Sequence, residues 1–137
     1  MYKVLERVIA NRLIEHWEGT ARDEQAGFRP GRSTVDQIFI LRRVIELARR
    51  YKRPIAVVFL DFACAFDSPD RERIYSLMSA DGVPQKYVRL VREMNTKTDA
   101  VIRTESGTSK PFEVKTGVRQ GSVLGPMLFN FVIDEIM

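Results

Sequence analysis

Asp61 follows six apolar residues, Ile55 to Leu60, that read IAVVFL, and Phe66 and Asp67 come shortly after it. A run so rich in β-branched and aromatic side chains predicts a strand buried on both faces. A carboxylate at the carboxyl end of such a strand stands where α/β sheets bind their ligands. Taking that charge out of water costs on the order of several kcal/mol unless something positive or a hydrogen-bond donor meets it. Two partners are open on the residues alone: a divalent metal, or the first turn of the next helix. Two further segments have types and spacings suited to chemistry. Gly27 to Thr34 read GFRPGRST, a glycine-rich loop whose Arg29 and Arg32 suit phosphate contact. Gly117 to Pro126 read GVRQGSVLGP, with Arg119 and Gln120 ahead of Gly121, a glycine that lets backbone approach a ligand closely. A turn leading into a helix would explain those glycines but not the Arg-Gln pair.

The elements that must position these segments are legible as periodicities. Residues 3–17 place Val4, Leu5, Val8, Ile9, Leu13 and Trp17 at helical spacing. His16 has no second histidine with which to share a metal and reads as surface or filler. Ser33 or Thr34 caps a helix running to about Tyr51, with Val35, Ile38, Leu41, Ile45 and Ala48 as its apolar face. Its basic end, Arg49, Arg50, Lys52 and Arg53, suits the helix dipole and is stopped by Pro54. After the strand, Ser68 and Pro69 read as N-cap and first turn of a helix from about Asp70 to Ala80. Asp67 is expected to stabilise that same helix start. Pro84 opens another helix to about Asn95, with Tyr87, Leu90, Val91 and Met94 on one face. Residues 100–104 and 112–116 are short strands flanking a hairpin signal at Glu105 to Thr108. A last helix carries Leu124, Leu128, Phe131 and Val132 on one stripe. The order predicts an α/β or α+β class.

Composition narrows the field. At 137 residues and 45% hydrophobic the chain is one domain or a piece of one, with enough apolar mass for a core. The net charge is +4, but residues 1–54 hold 12 basic against 7 acidic groups, while residues 55–137 hold 10 against 11. A basic half before an acidic centre suits a polyanion such as nucleic acid or nucleotide, and equally a merely solvated surface. The single cysteine, Cys64, excludes an internal disulfide and a cysteine zinc cluster, and fits an intracellular compartment. No apolar run approaches the ~20 residues of a membrane span, and no signal-peptide pattern is present. Both ends fall inside helical patterns, so the chain is expected to be part of something longer.

Taken together and in this order, GFRPGRST, LDFACAFDS (residues 60–68) and GVRQGSVLGP resemble the fingers and palm of a reverse transcriptase. The nearest likeness is to non-LTR (LINE-type) retrotransposons, with group II intron enzymes more distant, and YKVLERVIANRL resembles the segment before the fingers loop. The resemblance covers nearly the whole chain. It implies fingers-side helices and loop over 1–54 and a palm with a hairpin insertion over 55–137. It makes Asp61 the first catalytic aspartate of a two-metal nucleotidyl transfer, with the Phe62 carbonyl as a backbone ligand for Mg²⁺, or Mn²⁺. It makes Phe66 the steric gate under the sugar ring, and places Ala65, Gln120 and Gly121 against the incoming nucleotide. Arg29, Arg32 and Arg119 become contacts to template or phosphate. The implied partners are an RNA template, a DNA primer and a deoxynucleotide.

Cys64 and Pro69 depart from the family, which often has a basic or small polar residue at the first position and valine at the second. The aromatic-X-Asp-Asp hairpin that completes such a site has no counterpart, since no Asp-Asp pair occurs in the 137 residues, and Asp134-Glu135 lies in a helical context. The chain is therefore expected to stop short of that hairpin and of the thumb, and not to polymerise DNA alone. A non-catalytic nucleic-acid-binding relic of a decayed element is the competing reading. A phosphatase with Asp61 as nucleophile would need a second aspartate where Ala63 stands, and an RNA-dependent RNA polymerase is disfavoured by Phe66.

Overall fold

In a computed structural model, residues 2–137 are described; Met1, at the start of the first helical pattern, lies outside them. Five helices and one small hairpin follow in order: α1 (Tyr2–Trp17), α2 (Thr34–Arg50), α3 (Arg71–Ala80), α4 (Gln85–Asn95), β1 (Asp99–Ala100), β2 (Arg103–Thr104), β3 (Gly107–Thr108), β4 (Phe112–Glu113) and α5 (Gly125–Ile136). The class is mixed α and β, as expected.

The core lies between α1, α3, α4 and α5. Ile9, Leu13 and Trp17 of α1 meet Ile74 and Met78 of α3, Val88 and Val91 of α4, and Leu128 and Phe131 of α5. The Trp17 and Phe131 rings meet edge to face at 6.3 Å. Each such side chain, fully buried, stabilises by about 1.5–3 kcal/mol. The buried stripe of α1 is turned from the one the periodicity suggested: Val4, Leu5 and Val8 are exposed, whereas Glu6 and Ala10 are buried. α1 is apolar on two sides, and periodicity alone does not say which side meets the core.

Helix starts follow local chemistry. Ser33 caps α2, its Oγ accepting from the Val35 N–H at 3.1 Å. α3 is capped by Asp70, whose Oδ1 accepts from the Arg73 N–H at 2.8 Å, two residues later than the Ser68-Pro69 start expected. A carboxylate at the N-cap satisfies an orphan N–H and complements the dipole, so Asp70 outcompetes Ser68. The lone His16 bonds the Asp81 carbonyl oxygen at 3.0 Å, a structural contact between α1 and the end of α3.

The hairpin forms in two tiers. β2 pairs antiparallel with β3 across a turn at Glu105-Ser106, and β1 pairs antiparallel with β4. Asp99 to Arg103 is four steps, but their partners Glu113 and Thr108 are five apart. The extra residue is a bulge, which interrupts the ladder and shortens each strand.

Two expectations fail in the segment between α2 and α3. The apolar face assigned to α2 is not covered: no α2 residue is fully buried. The strand expected at 55–61, the doubly buried centre of the sheet, is not formed; residues 55–62 carry no strand pairing, and Val58, Phe59 and Leu60 are 79%, 81% and 79% exposed. A strand exists through its ladder to a neighbour. The described strands are two residues long and pair only among themselves. Among the described residues no helix is long and apolar enough to cross a membrane.

Candidate nucleotide-binding site

Residues 64–69 form a tight turn. The Cys64 carbonyl accepts from the N–H groups of both Asp67 and Ser68 at 2.9 Å. Cys64 itself sits at φ 52°, a left-handed conformation that is unusual for a residue with a Cβ. This turn is docked onto the glycine loop before α5 by two backbone hydrogen bonds. Gly117 N–H donates to Pro69 O at 2.8 Å, and Val118 N–H donates to Phe66 O at 2.7 Å.

The docking requires glycine at 117. Its φ is +77°, and a Cβ built there would lie 2.7 Å from Asp67 Cα, Asp67 O and Phe66 O. Arg71 clamps the same junction. Its Nε donates to Gly117 O at 2.9 Å, its Nη1 to Asn95 O at 2.9 Å and Thr98 Oγ1 at 2.7 Å, and its Nη2 to Thr116 O at 3.4 Å. A guanidinium fork suits several carbonyls arranged around it.

The side chains that the docking brings together are those of two motifs 53 residues apart. Gln120 Nε2 donates to Asp67 Oδ1 at 3.2 Å and is 3.4 Å from Oδ2. Asp67 therefore faces Gln120 rather than capping α3. Phe66, half-buried, stacks on Phe129 of α5 at 4.8 Å and meets Phe28 of the GFRPGRST loop edge to face at 5.9 Å. All three sequence motifs thus meet at Phe66 or its neighbours. Beside the junction is a cavity of about 430 Å³, lined by Asp67, Arg71, Thr98, Asp99, Arg119 and Gln120 among others.

The remaining candidates lie as follows. Asp61 is exposed and has no hydrogen-bond or ion-pair partner among the described residues; Phe62 is exposed beside it, and Ala65 is half-buried. Arg119 lies over the Tyr2 ring with its guanidinium 5.3 Å from the centroid. Gly121, at φ +76°, has open space around it. Arg32 is partly exposed and pairs with Asp23 at 2.6 Å. Arg29 is turned inward. Its side chain is buried against Trp17 at 5.5 Å, its Nη2 pairs with Glu18 at 3.0 Å, and its Nη1 donates to Arg22 O at 2.6 Å and Gln25 O at 3.3 Å. A buried guanidinium with engaged donors braces the loop that carries Phe28.

Two positions that shape the junction, Arg71 and Glu6, escaped the sequence reading, and Gly117 was read only as part of a loop. Arg71 left no local signal, and Gly117 gave no sign of what it docks against, because their partners are backbone atoms of distant segments. Glu6 did leave one. It falls in step with Ile9, Ala10 and Leu13 on the buried stripe of α1, where a lone charge calls for a partner.

Mg²⁺ prefers hard oxygen ligands, which the Asp61 carboxylate and the Phe62 carbonyl are by type. Among the described residues no three His, Cys, Asp or Glu side chains converge on a point that could hold a metal ion.

A reverse transcriptase (RNA-dependent DNA polymerase) family model matches residues 1–137. The chain is 35% identical over 136 residues to the probable RNA-directed DNA polymerase from transposon BS of Drosophila melanogaster, covering 98% of this chain and 15% of that protein. It is 34% identical over 133 residues to the probable RNA-directed DNA polymerase from transposon X-element of the same fly, covering 93% and 14%. It is 28% identical over 139 residues to the retrovirus-related Pol polyprotein from the type-2 retrotransposable element R2DM of that species, covering 100% and 13%. The chain thus spans roughly a tenth to a seventh of the length of the curated relatives it matches. With the matched motifs gathered at one junction, the chain belongs to the reverse transcriptase family, among the polymerases of non-LTR retrotransposons.

Proposed function

We propose that this chain is the nucleotide-facing part of an RNA-directed DNA polymerase, comprising the palm from residue 55 and fingers-side elements before it. The observation that carries the reading is the docking of the Phe66–Asp67 turn on the Gly117–Gln120 loop. It sets Gln120 against Asp67 on the wall of one cavity, directly after Phe66 in the same turn; a flat ring and a carboxamide are the equipment needed to select a sugar and hold its base. Phe66 excludes a ribose 2′-hydroxyl. Gln120 lies against the sugar and base, Gly121 and Ala65 let backbone come close, and Arg32 and Arg119 meet phosphate. Arg29, with its donors engaged internally, contributes by bracing that loop.

In the intact protein, Asp61 and the Phe62 carbonyl hold one side of a Mg²⁺ site, or a Mn²⁺ site. Such ions, when bound, neutralise the phosphates and activate the primer 3′-hydroxyl. The strands that pair with residues 55–60, the second carboxylates and the thumb belong to the rest of the polymerase, which acts on RNA template, DNA primer and deoxynucleotide inside the cell. With one carboxylate the 137-residue chain does not extend a primer and binds Mg²⁺ only at roughly millimolar concentration.

The test is nuclear magnetic resonance titration of the chain with dATP·Mg²⁺ and with ATP·Mg²⁺. Phe66 and Gln120 signals are expected to move with dATP and less with ATP, and Phe66→Val narrows the difference. Equal response to both in the wild-type chain, or primer extension abolished by Asp61→Ala, would overturn the corresponding part of this reading.

A further inference from the structure

Glu6 is 2% exposed, and among the described residues no cation pairs with it. Its carboxylate accepts instead from Ser122 Oγ at 2.7 Å and from the Val123 N–H at 3.1 Å, across 116 and 117 residues of chain. Ser122 Oγ in turn accepts from the Leu124 N–H at 3.1 Å. A buried carboxylate survives when donors surround it, and here they stand just ahead of a helix N-terminus, where the dipole also favours negative charge.

This contact sits immediately after Arg119, Gln120 and Gly121. The near side of that loop is held by the Gly117 and Val118 bonds to the Phe66 turn. A Cβ at Gly121 would meet nothing within 4 Å. Within the loop the Gln120 side chain is held by Asp67, and beyond it Glu6 is the anchor on the α5 side. The same helix supplies Tyr2 beneath Arg119. We propose that Glu6 is a positioning residue: it sets the conformation of the Arg119–Ser122 loop and thereby where the Gln120 amide stands. Its importance for nucleotide selection rests on the role proposed above for Gln120; the tether itself does not.

The experiment is amide hydrogen exchange on the 137-residue chain, together with the side-chain amide resonance of Gln120. Glu6→Ala is expected to speed exchange at the bonded amides of Ser122, Val123 and Leu124 by about tenfold or more, as loss of a buried charge-assisted bond does. Ile74, Leu77 and Met78 in α3 should keep their rates, and the Gln120 amide signal should move toward that of a free glutamine. Glu6→Gln keeps an acceptor for Val123 and offers a donor to Ser122, so it should restore most of the protection. Ser122→Ala, which leaves the core of α1 untouched, should give the same local signature if Glu6→Ala does not fold. Unchanged loop exchange in these variants, or loop and α3 amides accelerating together with no rescue by Glu6→Gln, would overturn the tether. No nucleotide enters this measurement, so it can fail while the dATP titration succeeds, or the reverse.

Discussion

Residues 71–95 with α1 and α5, and residues 34–62, are both rich in apolar side chains at regular spacing, yet they fare differently. In the first region Ile74, Met78, Val91 and Phe131 vanish from solvent. In the second, Val35, Ile38, Phe39 and the IAVVF run remain largely exposed. The difference is supply of partners. Four helices that cross one another can cover each other's stripes within the chain. One helix and one extended run that follow each other find no second surface among the described residues. Apolar spacing states that a face is to be covered; it does not state what covers it.

The contrast is open to direct attack, and the largest effects lie in the packed region. Phe131→Ala should cost about 3–5 kcal/mol of stability by chemical denaturation, whereas Phe59→Ala should stay within about 0.5 kcal/mol. A large loss for Phe59 would mean that the second region is packed after all. The seam between regions comes next. Gly117→Ala forces a Cβ against three backbone atoms at a left-handed φ and should cost ~2–4 kcal/mol. It should also uncouple the Gln120 amide signal from Asp67. An unperturbed variant would show that the two motifs are not locked together.

The smallest effect sharpens the edge of the packed region. Burial raises the Asp81 carboxyl above its ordinary value of 3.8, and Asp134 and Glu135 push it the same way while His16 opposes. A raised folded-state value means that ionised Asp81 weakens the fold. Its favourable share is complete below the unfolded value and is lost as pH rises through the folded one. Asp81→Asn should therefore raise the melting temperature modestly at pH 7, with the gain shrinking away below about pH 4. A gain independent of pH would assign the effect to something other than this charge.

Much of the local structure was readable beforehand. Ser33 announced α2, Pro84 announced α4, and Glu105-Ser106 announced the hairpin turn, because caps and turns depend on atoms within a few residues. The misreadings came from choices that local chemistry leaves open. Asp67, Ser68 and Asp70 could each serve the start of α3, and packing of the 64–69 turn against Gly117 turned Asp67 toward Gln120. Arg29 and Arg32 looked alike as loop arginines, and only the presence of Glu18 and Trp17 beneath one of them separated a brace from a free contact.

By itself the sequence determined the helices, the hairpin, the three motifs and through them the family, since each rests on residue types at short fixed spacing. Tertiary structure alone decided that Gln120 meets Asp67, that Gly117 admits no side chain, that Glu6 reaches the start of α5, and that residues 55–60 stand uncovered. The first three join segments some 50 to more than 100 residues apart, and the last is the lack of such a join. Their energies come from close packing and hydrogen bonds that exist only once the elements have met, so no local pattern along the chain encodes them.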